Sequence, residues 1–116
     1  MIVKTVGRTY NKGITEWGFL MFSERKVAQM AVFFLGQSPE GRMSHLKLMK
    51  LLYLSEREAI KVFGRPISGD RLVSMPHGPV LSQTLNLMDG DVESQPGGWE
   101  EWISDKENHE LSLRQP

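Results

Sequence analysis

The sequence predicts a predominantly helical α+β fold, a small helical domain around one buried central helix with a β-hairpin at its C-terminal end. Three observations predict it. The stretch His45–Phe63 (HLKLMKLLYLSEREAIKVF) is apolar over most of its girth at helical spacing, and a helix of that kind is covered by neighbours on several sides. Two further segments, after Ser23 and after Pro79, carry apolar residues at helical intervals between capping and stop residues. Near the end of the chain, Leu111 and Leu113 alternate with polar residues behind Asp105-Lys106-Glu107-Asn108, a pattern that suits a hairpin.

The 116 residues fit one domain, with residues 1–22 as an N-terminal extension and residues 23–116 as the domain proper. Two readings of the extension stand side by side. Met1–Val6 suits a short strand, Asn11–Gly13 a turn, and the aperiodic patch Trp17, Phe19, Leu20, Met21 and Phe22 a strand pairing elsewhere. Alternatively the natural start is Met21, and the first twenty residues are an over-long reading frame.

Helix one follows Ser23, whose hydroxyl can accept a first-turn amide. Val27, Met30, Ala31, Phe34 and Leu35 make its inward stripe, and Gly36 permits a left-handed stop. Pro39 and Gly41 place a loop over Gln37–Arg42, and Ser44 can cap the next helix. In the central helix Leu48, Leu51, Leu52, Ala59 and Val62 share one face, with Leu46, Met49, Tyr53, Ile60 and Phe63 beside it. Lys47, Lys50, Arg57 and Lys61 mark a narrow wet stripe that Leu54 interrupts. Gly64-Arg65-Pro66 ends this helix. After a Gly-Asp turn and a short extended piece at Arg71–Ser74, Pro79 sits where a helix can begin. Val80–Met88 therefore reads as the third helix, with Val80, Leu81, Thr84, Leu85 and Met88 inward and Asp89-Gly90 as its stop.

Composition excludes several functions. No cysteine is present, so no disulfide, thiolate zinc site or cysteine nucleophile can form, which suits a cytoplasmic location. No apolar run approaches the ~20 residues of a membrane span, and the opening MIVKTVGRTYNKG is too broken for a secretion signal. The zero formal charge hides a division: residues 1–88 hold twelve Lys/Arg and six Asp/Glu, residues 89–116 two and eight. Such a split fits a basic nucleic-acid face with an acidic tail, an acidic segment folded onto a basic one, or two oppositely charged surfaces.

Catalytic chemistry finds no support. His45, His77 and His109 lie far apart, and Glu56 and Glu58, two residues apart, diverge around a helix, so no metal or cofactor is expected. There is no Gly-x-Ser-x-Gly elbow, and Ser74 and Ser82 near His77 have no neighbouring carboxylate. A small hydrolase using His77 is the weakest reading; packing of its ring under the Gly78-Pro79 turn is the plainer one. DNA binding through Lys47, Lys50, Arg57 and Lys61 is the main alternative function. Against it, the central helix is too apolar to be a recognition helix, and its preceding loop exceeds a helix-turn-helix turn. Interaction remains. Trp17, Phe19, Phe22, Trp99 and Trp102 lie outside the three expected helices, and aromatics are common interface anchors. For Trp102 completion of the core is the expectation, and His77 joins the candidate partner-facing residues.

The run Lys47-Leu48-Met49-Lys50-Leu51-Leu52-Tyr53, then Gly64-Arg65-Pro66-Ile67 with Asp70, then His77-Gly78-Pro79-Val80 resembles the Panacea, or SocA-like antitoxin, family, also met as the phage-associated GepA-type domain. The family carries a KLxKLLY-type helix, a G-x-P-[IL] turn and a GPV turn in this order, and the likeness covers about residues 23–90. Many members have tryptophan and another aromatic where this chain has Met75 and His77, and further helices after the hairpin, so a chain shortened at its C-terminus is one expectation. The resemblance implies an antitoxin that binds and neutralises a toxic protein encoded beside it. Its SocA type also implies an adaptor delivering the toxin to a Clp-type protease. Lys47, Leu48, Leu51, Leu52, Tyr53, Gly64, Pro66, Gly78, Pro79 and Val80 would then be architectural, with partner contacts in residues 14–22 and 92–113.

Overall fold

The computed structural model describes residues 21–114. Expectations placed on residues 1–20, Trp17 and Phe19 among them, lie outside the described residues. The order is α1 (Glu24–Gly36), a single 3-10 turn (Pro39–Gly41), β1 (Arg42–Ser44), α2 (His45–Phe63), β2 (Leu72–Met75), β3 (Gly78–Leu81), α3 (Ser82–Asp89), α4 (Trp99–Trp102) and β4 (Glu110–Ser112). This is the helix-dominated α+β architecture that the periodicity indicates, with α2 at its centre.

Most local signals act as their chemistry dictates, but Gly36 is not the left-handed stop expected of it: it ends α1 as a helical residue and Gln37 caps the helix in the right-handed region. Ser23 Oγ accepts the Lys26 amide at 3.2 Å and Ser44 Oγ the Lys47 amide at 3.0 Å, each satisfying a donor that the first helical turn leaves free. Gly64 (φ 75°) and Gly90 (φ 74°) close α2 and α3 in the left-handed region. The core forms where Val27, Ala28, Ala31 and Leu35 of α1 meet Leu48, Met49 and Leu52 of α2. Leu81, Leu87, Met88, Trp99, Ile103 and Leu111 close it from the C-terminal half.

Three expectations are corrected. The central helix is buried along one face only: Leu48, Met49, Leu52, Glu56 and Ala59 point inward. Leu46, Leu54, Ile60, Val62 and Phe63 are exposed, because the described elements pack against the Leu48–Leu52–Ala59 side. Second, Gly78-Pro79-Val80 does not open a helix. Gly78–Leu81 pairs antiparallel with Leu72–Met75 around the Pro76-His77 turn, and α3 begins at Ser82. Proline is tolerated there because, among the described residues, β3 is an edge strand whose one strand partner is β2. Third, Trp99 and Trp102 exchange the environments expected of them. Trp99 is 1% exposed and packs in the core, whereas Trp102 is 51% exposed.

The C-terminal hairpin is present, closed by bridges Ile103↔Leu113 and Glu107↔Glu110. Its returning strand β4 also pairs with β1, and the buried side chains Met43 and Leu111 stand opposite each other. β4 is thus fastened to β1, the segment just before α2. Among the described residues no helix is long and apolar enough to cross a membrane.

Candidate interaction surface

Polar residues on the inward faces build the frame on which any surface must be held. Glu56, fully buried on α2, accepts the Ile67 amide at 2.5 Å, the Ser68 amide at 3.0 Å and the Ser68 hydroxyl. The Ser68 carbonyl in turn accepts the Ser23 amide at 2.6 Å, so one serine joins the start of α1 to the middle of α2. Ser68 Oγ also receives the Asp70 amide at 3.2 Å. Asp70 then accepts the Gln83 amide at 2.9 Å and both the amide and hydroxyl of Thr84 at 2.7 Å. The start of α3 has no side-chain cap of its own, and Asp70 supplies one from outside the helix. Glu24 does the same for the C-terminal region, accepting the Ser94 hydroxyl at 2.5 Å, the Gln95 amide at 3.2 Å and the Trp99 amide at 2.8 Å. Each carboxylate is buried because backbone donors surround it. Buried charge is otherwise too costly to keep.

On this frame, among the described residues, an uncovered apolar area lies along α1 and the second half of α2. Two shallow adjoining grooves of about 610 and 640 Å³ share Phe34, Ser55 and Ile67. They run from Phe33, 61% exposed, past Leu54 to Phe63, 77% exposed. Sequence reasoning missed this surface. The signals were Phe33, which falls off the inward stripe of α1, and Leu54, which breaks the wet stripe of α2.

The residues singled out from sequence are not brought together. Phe22 is half-buried against the core, and Trp99 is inside it. Trp102 is exposed on α4. His77 stands exposed at the tip of the β2–β3 hairpin. Lys47, Lys50, Arg57 and Lys61 are all exposed along α2. Among the described residues, no group of three or more His, Asp or Glu side chains could hold a metal ion.

A family model described as "Antitoxin SocA-like, Panacea domain" matches residues 48–116, more than half of the chain. The chain belongs to the SocA-like Panacea family. The match begins inside α2 and extends beyond α3 to the end of the chain, past the residues that carry the resemblance in the sequence. No curated protein and no solved structure matches the chain.

In this Panacea domain the motif residues fall on α2, the turn after it and β3. Leu48 and Leu52 are buried, Leu51 and Tyr53 half-buried, and Lys47 lends its amide to the Ser44 cap. Gly64 turns the chain so that Pro66, Ile67 and Ser68 come back alongside Glu56. Gly78, Pro79 and Val80 make β3, opposite Met75, Ser74 and Val73.

Proposed function

We propose that this Panacea domain is an antitoxin that neutralises a toxic protein by binding it directly in the cytoplasm. The observation that carries the reading is the family match over residues 48–116. The role requires a rigid surface and no reacting group, in keeping with three carboxylates whose lone pairs are taken up by backbone and hydroxyl donors. Delivery of the bound toxin to a Clp-type protease is the finer form of the same role, and it predicts that toxin levels fall when the domain is expressed.

The test is co-expression with the product of the adjacent reading frame. Restored growth and a complex that survives size-exclusion chromatography are expected. A toxic neighbour that is neither bound nor neutralised overturns the reading. The same protein titrated with duplex DNA tests the other class, since phosphate contacts through Lys47, Lys50, Arg57 and Lys61 would weaken steeply with salt.

A further inference from the structure

The groove along α1 and the second half of α2 has a chemistry that specifies its occupant. Its floor and ends are apolar, Phe33, Phe34, Leu54, Phe63 and Ile67, and large side chains held in water as one contiguous patch mark a site of association. Its charged edge is unbalanced, with Lys26, Arg57 and Lys61 against Glu58. The imbalance extends over both helices. Glu24 and Glu56 turn inward and are spent on backbone donors, so among the described residues Glu58 is the one exposed carboxylate of α1 or α2. Arg25, Lys26, Lys47, Lys50, Arg57 and Lys61 are all exposed on the same two helices.

A polyanion such as DNA would satisfy these cations but gain nothing from Phe33, Leu54 and Phe63 beside them. An amphipathic helix with an apolar face and acidic flanks satisfies both, and a trough between two helices is the usual seat for such a segment. We propose that this groove is the docking site for an acid-flanked amphipathic helix of the toxin. The proposal rests on the toxin-binding reading above and names the surface that performs it.

The experiment uses the full chain and an inactivated form of the adjacent reading frame's product. Phe33→Asp and Phe63→Asp, both at exposed positions, are expected to weaken the complex at least about 10-fold each and to abolish growth rescue. Their thermal midpoints should stay close to wild type. Lys26→Glu combined with Lys61→Glu is expected to slow association about 3- to 10-fold and flatten its salt dependence, while Trp102→Ala and His77→Ala leave binding unchanged. If wild type binds and neutralises but the groove variants do so equally well, the docking site is overturned and the antitoxin reading stands. If wild type neither binds nor neutralises, the antitoxin reading falls and this proposal with it. A photo-crosslinking amino acid at position 33 identifies the occupant. Crosslinks to an acidic, apolar segment of the toxin support the proposal; crosslinks to residues 1–20 of the same chain, to a second copy or to DNA overturn it.

Discussion

The Glu56 carboxylate and Ser68 hold each other across twelve residues, with the serine's amide and hydroxyl both donating to the acid. Because the Ser68 carbonyl also receives the Ser23 amide, this pair fixes where α1 starts relative to α2. The floor of the proposed docking groove, Ile67, is the residue immediately before Ser68 and gives its own amide to the same carboxylate.

Removing that acceptor should be costly. Glu56→Ala leaves the Ile67 amide and both Ser68 donors buried without a partner, an expected loss of about 3–5 kcal/mol. Glu56→Gln keeps one carbonyl oxygen but not the charge, and about 1–3 kcal/mol is expected. Urea denaturation checks both: the midpoint should fall in that order at an unchanged slope.

Asp70 stabilises α3 from outside it. Asp70→Asn, which weakens the bonds to Gln83 and Thr84, should cost about 1–2 kcal/mol. Thr84→Val should cost about 1 kcal/mol through the lost hydroxyl bond. Since both changes remove the same contact, the double variant should be less destabilised than the sum, which a double-mutant cycle measures.

The two C-terminal tryptophans should behave oppositely. Trp99→Ala opens a cavity in the core, with about 3–5 kcal/mol expected. Trp102→Ala removes a half-exposed ring, with less than about 1 kcal/mol expected. Thermal melts of the two variants provide the comparison, and a Trp102→Ala protein that unfolds as readily as Trp99→Ala would refute the assignment.

Two glycines separate conformational strain from crowding. Gly64 has φ 75° and open space where a side chain would go, so Gly64→Ala should cost about 1 kcal/mol. Gly69 has φ 83° and lies against the backbone of Met21, so Gly69→Ala should cost about 2–3 kcal/mol. Hydrogen exchange at the Ser23 amide should accelerate in Gly69→Ala and stay near wild type in Gly64→Ala, because the added methyl group pushes the start of α1 away from Ser68.

What was legible in the sequence was local. Ser23, Ser44, Gly64 and Gly90 act within one turn of themselves, and their roles follow from residue type and position. The pattern at 72–81 reads as an extended piece followed by a helix, because Pro79 favours a first helical turn as readily as an edge strand. The burial of Glu56, Asp70 and Glu24 left no local trace. Their partners lie 12, 14 and 75 residues away, and nothing within a helical turn distinguishes them from solvated acids such as Glu58. The groove escaped for the converse reason: Leu54 and Phe63 look like core residues by type and spacing, yet both are exposed.

The sequence alone determined the first two helices, the serine caps at Ser23 and Ser44, the glycine stops at Gly64 and Gly90, and the ordered motif that marks the family. Those depend on backbone sterics and hydrogen bonds reaching four residues at most. Which side of α2 faces inward, which acids are enclosed, which tryptophan fills the core and which aromatics remain in water were decided only by tertiary structure. Burial is a property of the elements packed around a residue, and two helices of the same pattern can be covered on different sides.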